Sequence, residues 1–216
     1  MESGIGRIAE ERPVVIDGGS GAGAGLALDG LFRAGRERES DGIVIAPPHP
    51  LYGGSMESPV VTEIAYAAAD AGLASLRFDW RGVGGSQGEA SGSVDDHADD
   101  FAAALRHLSE SVPGTLCAAG YSAGAAAAVR AAAGARVTRL LLVAPPPPML
   151  DAGKLSAFGG RILVVAGDAD RIAAPDALRP LLAPLPKARL EVLPGVDHFF
   201  GTGLGALGRI VRSWLG

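Results

Sequence analysis

A serine hydroxyl attacks a carbonyl only when a base removes its proton, and that base works only when a carboxylate orients it. The chain carries these residue types in a usable order. Gly120-Tyr121-Ser122-Ala123-Gly124 is G-x-S-x-G, with the apolar run 115–119 before it and the alanine-rich segment 123–133 after it. Strand, sharp turn and helix are therefore expected, with Ser122 strained at the turn and glycine needed two residues to either side. The run 162–166 ends in Gly167-Asp168-Ala169-Asp170-Arg171, and the run 189–193 ends in Pro194-Gly195-Val196-Asp197-His198-Phe199. Of the four histidines, His49 and His198 fall just past a strand, whereas His97 and His107 fall in a helix with a solvated acidic face. His198 is the candidate base. Asp197 adjoins it and cannot readily turn its carboxylate onto the same ring. Asp170 is therefore the candidate acid, and Asp168 reads as a turn residue bonded to its own backbone. The plain alternatives are a small-residue turn packing a helix on a sheet, and a loop histidine capping the last helix.

Such residues can meet only if strands deliver them to one end of a sheet. Apolar runs of strand length lie at 14–16, 26–32, 43–46, 73–80, 115–119, 139–144, 162–166 and 189–193. The second alternates (Leu26, Leu28, Gly30, Phe32), as a half-exposed strand does. Most later runs are continuously apolar, which suits parallel strands covered on both faces. A helix is expected after Ser58-Pro59, closing at Gly72. A second, 94–111, opens on Asp95, Asp96, Asp99 and Asp100 and carries Phe101, Leu105 and Leu108 on one face. Segments 123–133, 175–185 and 204–215 complete the helices. An antiparallel start followed by βα repeats predicts an α/β fold with a mostly parallel eight-stranded sheet flanked by helices.

Composition narrows the function classes. Apolar residues make up 48% and charged residues 20% of the 216, the balance of a globular chain; one domain, 1–216, is expected. Nineteen basic against twenty-four acidic residues give a net charge of −5, which disfavours nucleic acid or an anionic membrane as partner. The lone Cys117 allows neither an internal disulfide nor a cysteine zinc cluster, and reads as an inert core residue. No apolar stretch reaches about 18 residues, so no membrane span is expected. Residues 1–13 lack an apolar signal core, so a cytoplasmic location is expected. No metal or other cofactor is implied by the residue spacing.

Together with His49-Pro50-Leu51-Tyr52-Gly53-Gly54-Ser55-Met56 and Phe78-Asp79-Trp80-Arg81-Gly82-Val83-Gly84-Gly85-Ser86, these motifs resemble the α/β-hydrolase fold over nearly the whole chain. More narrowly, the chain resembles small bacterial hydrolases related to dienelactone hydrolases and short-chain carboxylesterases. The resemblance implies a Ser122–His198–Asp170 triad and an oxyanion hole built from the N–H of Ala123 and one from the loop at 47–54. Pro50 has no N–H, so Leu51 is the expected donor and Tyr52 the reserve. Related proteins often carry histidine where Pro47 stands, and dienelactone hydrolases use cysteine where this chain has Ser122. The 79–86 loop reads as architecture, braced by Asp79 and Arg81.

Only 145–160 is available for a lid, too short for a cap domain, and its run Pro145–Pro148 is stiff. An open, shallow site follows, with Leu51, Tyr52, Met149, Phe199 and Phe200 as candidate walls. The expected activity is serine-dependent cleavage of small or short-acyl carboxylic esters through an acyl-enzyme. Thioesters or lactones would need the same residues. A non-catalytic ligand-binding member of the fold is a further reading. Gly19-Ser20-Gly21-Ala22-Gly23-Ala24 formally fits a dinucleotide fingerprint, but the strand-like 26–32 stands where a helix should follow.

Overall fold

The computed structural model describes residues 11–18, 25–37, 40–133 and 136–216. The glycine-rich 19–24 lies outside them. Strands β1 (Arg12–Asp17) and β2 (Ala27–Arg33) form an antiparallel hairpin, and β2 pairs antiparallel with β4 (Ala74–Phe78). The strand β2 thus stands where a dinucleotide site would need its helix. Strands β3 (Gly42–Ala46), β5 (Leu116–Tyr121), β6 (Val137–Val143), β7 (Arg161–Gly167) and β8 (Ala188–Leu193) continue the sheet in parallel. The eight-stranded order is β1-β2-β4-β3-β5-β6-β7-β8.

Central strands are apolar throughout because both faces are covered. Along β3 and β5, Val44, Ala46 and Ala118 face one core while Ile43, Ile45, Cys117 and Ala119 face the other, the period-two alternation of a strand. Helices α1 (Pro59–Asp70) and α6 (Leu204–Leu215) enclose the second core. The first core lies under α2 (Val94–Ser111), α3 (Ala123–Ala131), α4 (Ala152–Ala157) and α5 (Pro175–Leu182). Helix α3 is nearly all alanine because its residues 123–129 are all buried, and small side chains let it lie close to the sheet. Ser58 occupies the cap position of α1 without a side-chain capping bond; Pro59 in the first turn removes one of the N–H groups that would need it.

One expectation about α2 needs correction. His97 and Asp100 are buried rather than on a solvated face. The Arg81 guanidinium grips the Asp100 carboxylate at 2.7 Å and Asp96 at 2.8 Å, while the Arg81 N–H donates to Asp100 at 3.0 Å. The loop after β4 is thereby fastened to α2. Asp79 braces the same loop's neighbour, accepting the Met56 N–H at 2.7 Å. Between β6 and β7 there is a turn (Pro147–Met149) and the short α4, capped by Asp151. No cap domain is inserted there.

Candidate active site

The turn from β5 into α3 holds Ser122 at φ 55°, ψ −119°, a conformation unfavourable for a residue with a side chain. Its flanking glycines have separate reasons. A Cβ on Gly120 would lie 2.2 Å from the Gly124 carbonyl carbon, so the turn could not fold across itself. A Cβ on Gly124 would lie 2.4 Å from the Pro47 oxygen and 2.6 Å from the Ala46 oxygen, which would push away the loop after β3. The Ser122 N–H donates to the Val143 carbonyl at 2.9 Å. The next N–H, that of Ala123, opens α3 and meets no acceptor among the described residues.

Ser122 Oγ lies 3.0 Å from His198 Nε2, and His198 Nδ1 lies 2.8 Å from Asp170 Oδ2. All three side chains are buried. Asp170 sits after β7, its other oxygen accepting the N–H groups of Ile172 and Ala173 at 2.8 and 2.7 Å. Its orientation is thus set by backbone, leaving Oδ2 for the imidazole. Asp168 points elsewhere: its carboxylate accepts the Gly195 N–H at 2.6 Å, bridging to the loop after β8 instead of bonding its own backbone. Asp197 accepts the N–H of Phe199 at 3.2 Å. Tyr121, a position the motif leaves open, donates from Oη to the His198 carbonyl at 2.8 Å. Burial, reinforced by Asp170 and Asp197, pushes its phenol up to about 12. Tyr121 and Asp168 together fix the histidine loop. An aromatic hydroxyl beside the serine was the one available signal for Tyr121.

The loop after β3 closes on itself. His49 oxygen accepts the N–H groups of Tyr52 and Gly54, each at 3.1 Å, and Pro50 oxygen accepts that of Gly53. The Leu51 N–H, expected to face the reacting carbonyl, instead lies 3.3 Å from His49 Nδ1 and donates to it. Burial lowers the His49 pKa and so favours the neutral ring this bond requires. Among the described residues the His49 N–H itself has no acceptor.

A cleft of about 670 Å³ opens over Ser122 and His198. Tyr52, Met149 and Phe199 line it as expected, joined by Ile172 and Pro146, and among the described residues no Asp, Glu, Lys or Arg lines it. Leu51 is 56% exposed and does not line it. Phe200 departs further from expectation: it is buried in the core at φ 53°, its ring edge-on to Tyr121. A larger cleft of about 820 Å³ lies at the opposite ends of the strands, near Thr138, Arg161 and Lys187, and none of the candidate residues lines it. Among the described residues no helix is long and apolar enough to cross a membrane.

Comparison with known proteins bears on the fold and the class. The serine aminopeptidase family (S33) matches residues 51–152. A serine α/β-hydrolase homologue from Coxiella burnetii is 30% identical, with a TM-score of 0.82, covering 95% of this chain and 97% of that one. A lidless α/β serine hydrolase from Xanthomonas campestris is 32% identical, with a TM-score of 0.79 and 95% of each chain covered. An uncharacterized protein of Rickettsia prowazekii is 34% identical over 86 residues, 40% of this chain; the match spans 36% of that relative's length. The chain belongs to the α/β-hydrolase superfamily, on the side of its serine hydrolases.

Proposed function

We propose that the protein is a carboxylic-ester hydrolase working through an acyl-enzyme. The observation that carries this reading is the buried hydrogen-bonded row Ser122–His198–Asp170 at the floor of an uncharged cleft. As Ser122 Oγ attacks the ester carbon, His198 Nε2 takes its proton. Asp170 holds the proton on Nδ1 and stabilises the imidazolium that forms. The carbonyl oxygen gains negative charge and is received by the Ala123 N–H and by an N–H of the loop after β3. Within that loop His49 is the better donor than Leu51, whose N–H is already bonded to the His49 ring. His198 returns the proton to the leaving alcohol; a water then repeats the sequence on the acyl-enzyme.

Neutral esters with short acyl groups fit best. Among the described residues the cleft offers no lysine or arginine to a charged substrate, and the segment between β6 and β7 is too short to enclose a long chain. Each unenclosed methylene adds little affinity, so rates on nitrophenyl esters are expected to level off or fall beyond about eight acyl carbons. The test compares acetate, butyrate and palmitate esters on wild type and Ser122→Ala. Short esters should be turned over by wild type, with a loss of about 10⁴-fold or more in the variant. A folded wild type that cleaves none of them, or one whose rate climbs steadily to palmitate, contradicts the reading.

A further inference from the structure

Trp80 touches no reacting atom, yet its indole Nε1–H donates to the Pro48 carbonyl at 2.9 Å. That carbonyl belongs to the same peptide unit as the His49 N–H. A trans peptide is planar, with C=O and N–H pointing in opposite directions, so fixing one fixes the other. Trp80 is fully buried beneath the loop and does not line the cleft, whereas Pro48 and His49 do. A carbonyl drawn down onto Trp80 therefore turns the His49 N–H away from the core, towards the cleft side.

We propose that Trp80 is a positioning residue for the oxyanion hole, holding the Pro48–His49 peptide so that the His49 N–H faces the ester carbonyl oxygen. The proposal rests on the esterase reading and adds to it the part that aims the second donor. The opposite orientation of this peptide would present the Pro48 carbonyl where negative charge develops, replacing an attraction by a repulsion. Two further features hold the peptide in place. Gly54 lies so close that a Cβ there would be 2.2 Å from the Pro48 oxygen. The indole itself is wedged edge-on against Phe78, with ring centres 5.0 Å apart, and lies against His97 at 4.8 Å and 30°. His97 Nε2 donates in turn to the Ser91 carbonyl at 2.8 Å, which settles its ring orientation. Burial of Trp80 behind the loop is thus explained by the peptide it aims.

Trp80→Phe keeps a ring against Phe78 and His97 but removes the N–H. For an oxygen ester, kcat should fall about ten- to a hundredfold with KM little changed, less than the 10²–10³ typical of deleting a donor outright. The decisive readout is the rate ratio between an oxygen ester and its thionoester, measured on each variant. Sulfur accepts hydrogen bonds weakly, so a misaimed hole penalises the oxygen ester more and lowers the ratio by a comparable factor. Phe78→Leu is the control: it loosens the packing around the indole but keeps its N–H, and its ratio should match wild type. If Trp80→Phe does not fold, benzothienylalanine at position 80 keeps the bicyclic shape with sulfur in place of N–H, and the same fall is expected. An active wild type whose ratio is unchanged in the Trp80 variant overturns the positioning role alone. A folded wild type inactive on every ester overturns the esterase reading and this inference with it.

Discussion

Asp170 divides its two oxygens between different tasks, and this makes its substitution informative. Oδ1 accepts two backbone N–H groups, and Oδ2 faces His198 Nδ1. In Asp170→Asn the amide oxygen would keep the backbone bonds, leaving the NH₂ to donate to Nδ1. The ring would then carry its proton on Nε2 and could not accept one from Ser122. A fall of about 10⁴ in kcat with little change in fold is expected, read by steady-state kinetics and circular dichroism. Asp168→Asn should be mild, because an amide oxygen can still accept the Gly195 N–H. A reversal of the two results would assign the acid to Asp168. These side chains are legible because G-x-S-x-G, the aspartate and the histidine each follow an apolar run of strand length, in that order. The loop donor was not, since it depends on which N–H the His49 ring has already bonded, a local closure that residue order does not reveal. Phe200 was misplaced for a similar reason: its left-handed backbone turns the ring inward while Phe199 stays outside.

Helix α2 shows how far residue spacing alone specifies an element. Its limits, Val94–Ser111, follow from the acidic first turn and the apolar stripe. Its buried polar residues are not evident from the helix alone, because the partner of Asp100, Arg81, lies 19 positions earlier in a loop and that of His97, the Ser91 carbonyl, lies ahead of the helix. A signal existed: His97 stands four residues before Phe101, on the same stripe. Removing Arg81 would leave Asp100 as an unpaired buried carboxylate. Arg81→Met should therefore destabilise by about 3–5 kcal/mol, measured by chemical denaturation. A loss below about 1 kcal/mol, the value of a surface pair, would contradict this view of the loop. The elbow makes a second demand. Gly124→Ala places a methyl against the carbonyls of Ala46 and Pro47, separating the serine turn from the loop that faces it. A loss of about 1–3 kcal/mol is expected, together with slower ester cleavage at unchanged substrate affinity.

At the scale of the whole molecule, buried titratable groups set the pH range of stability. Burial lowers the pKa of His49 and His97, so below about 6.5 the unfolded chain binds protons that the folded one refuses. Stability should fall as pH drops through that value. Asp79 acts in the opposite sense: burial raises its pKa, so it favours the folded state at acid pH and loses that contribution as pH rises. On the alkaline side, burial pushes Cys117 and Tyr121 up to about 12. The unfolded chain releases these protons from about pH 9 to 10, and stability falls again above that. A Tm profile should show a plateau between about pH 6.5 and 9, and His97→Phe should flatten its acid limb. An acid limb unaltered by that substitution would remove His97 from the account. Native Cys117, fully buried, should resist thiol reagents at pH 8 and react only after unfolding.

The central claim is that Ser122 is an activated nucleophile. The most direct test is intact mass after exposure to a fluorophosphonate, with wild type and Ser122→Ala side by side. A single adduct on wild type, absent from the variant, is the predicted result. A folded wild type that gains no adduct, or a variant that gains the same one, would contradict it.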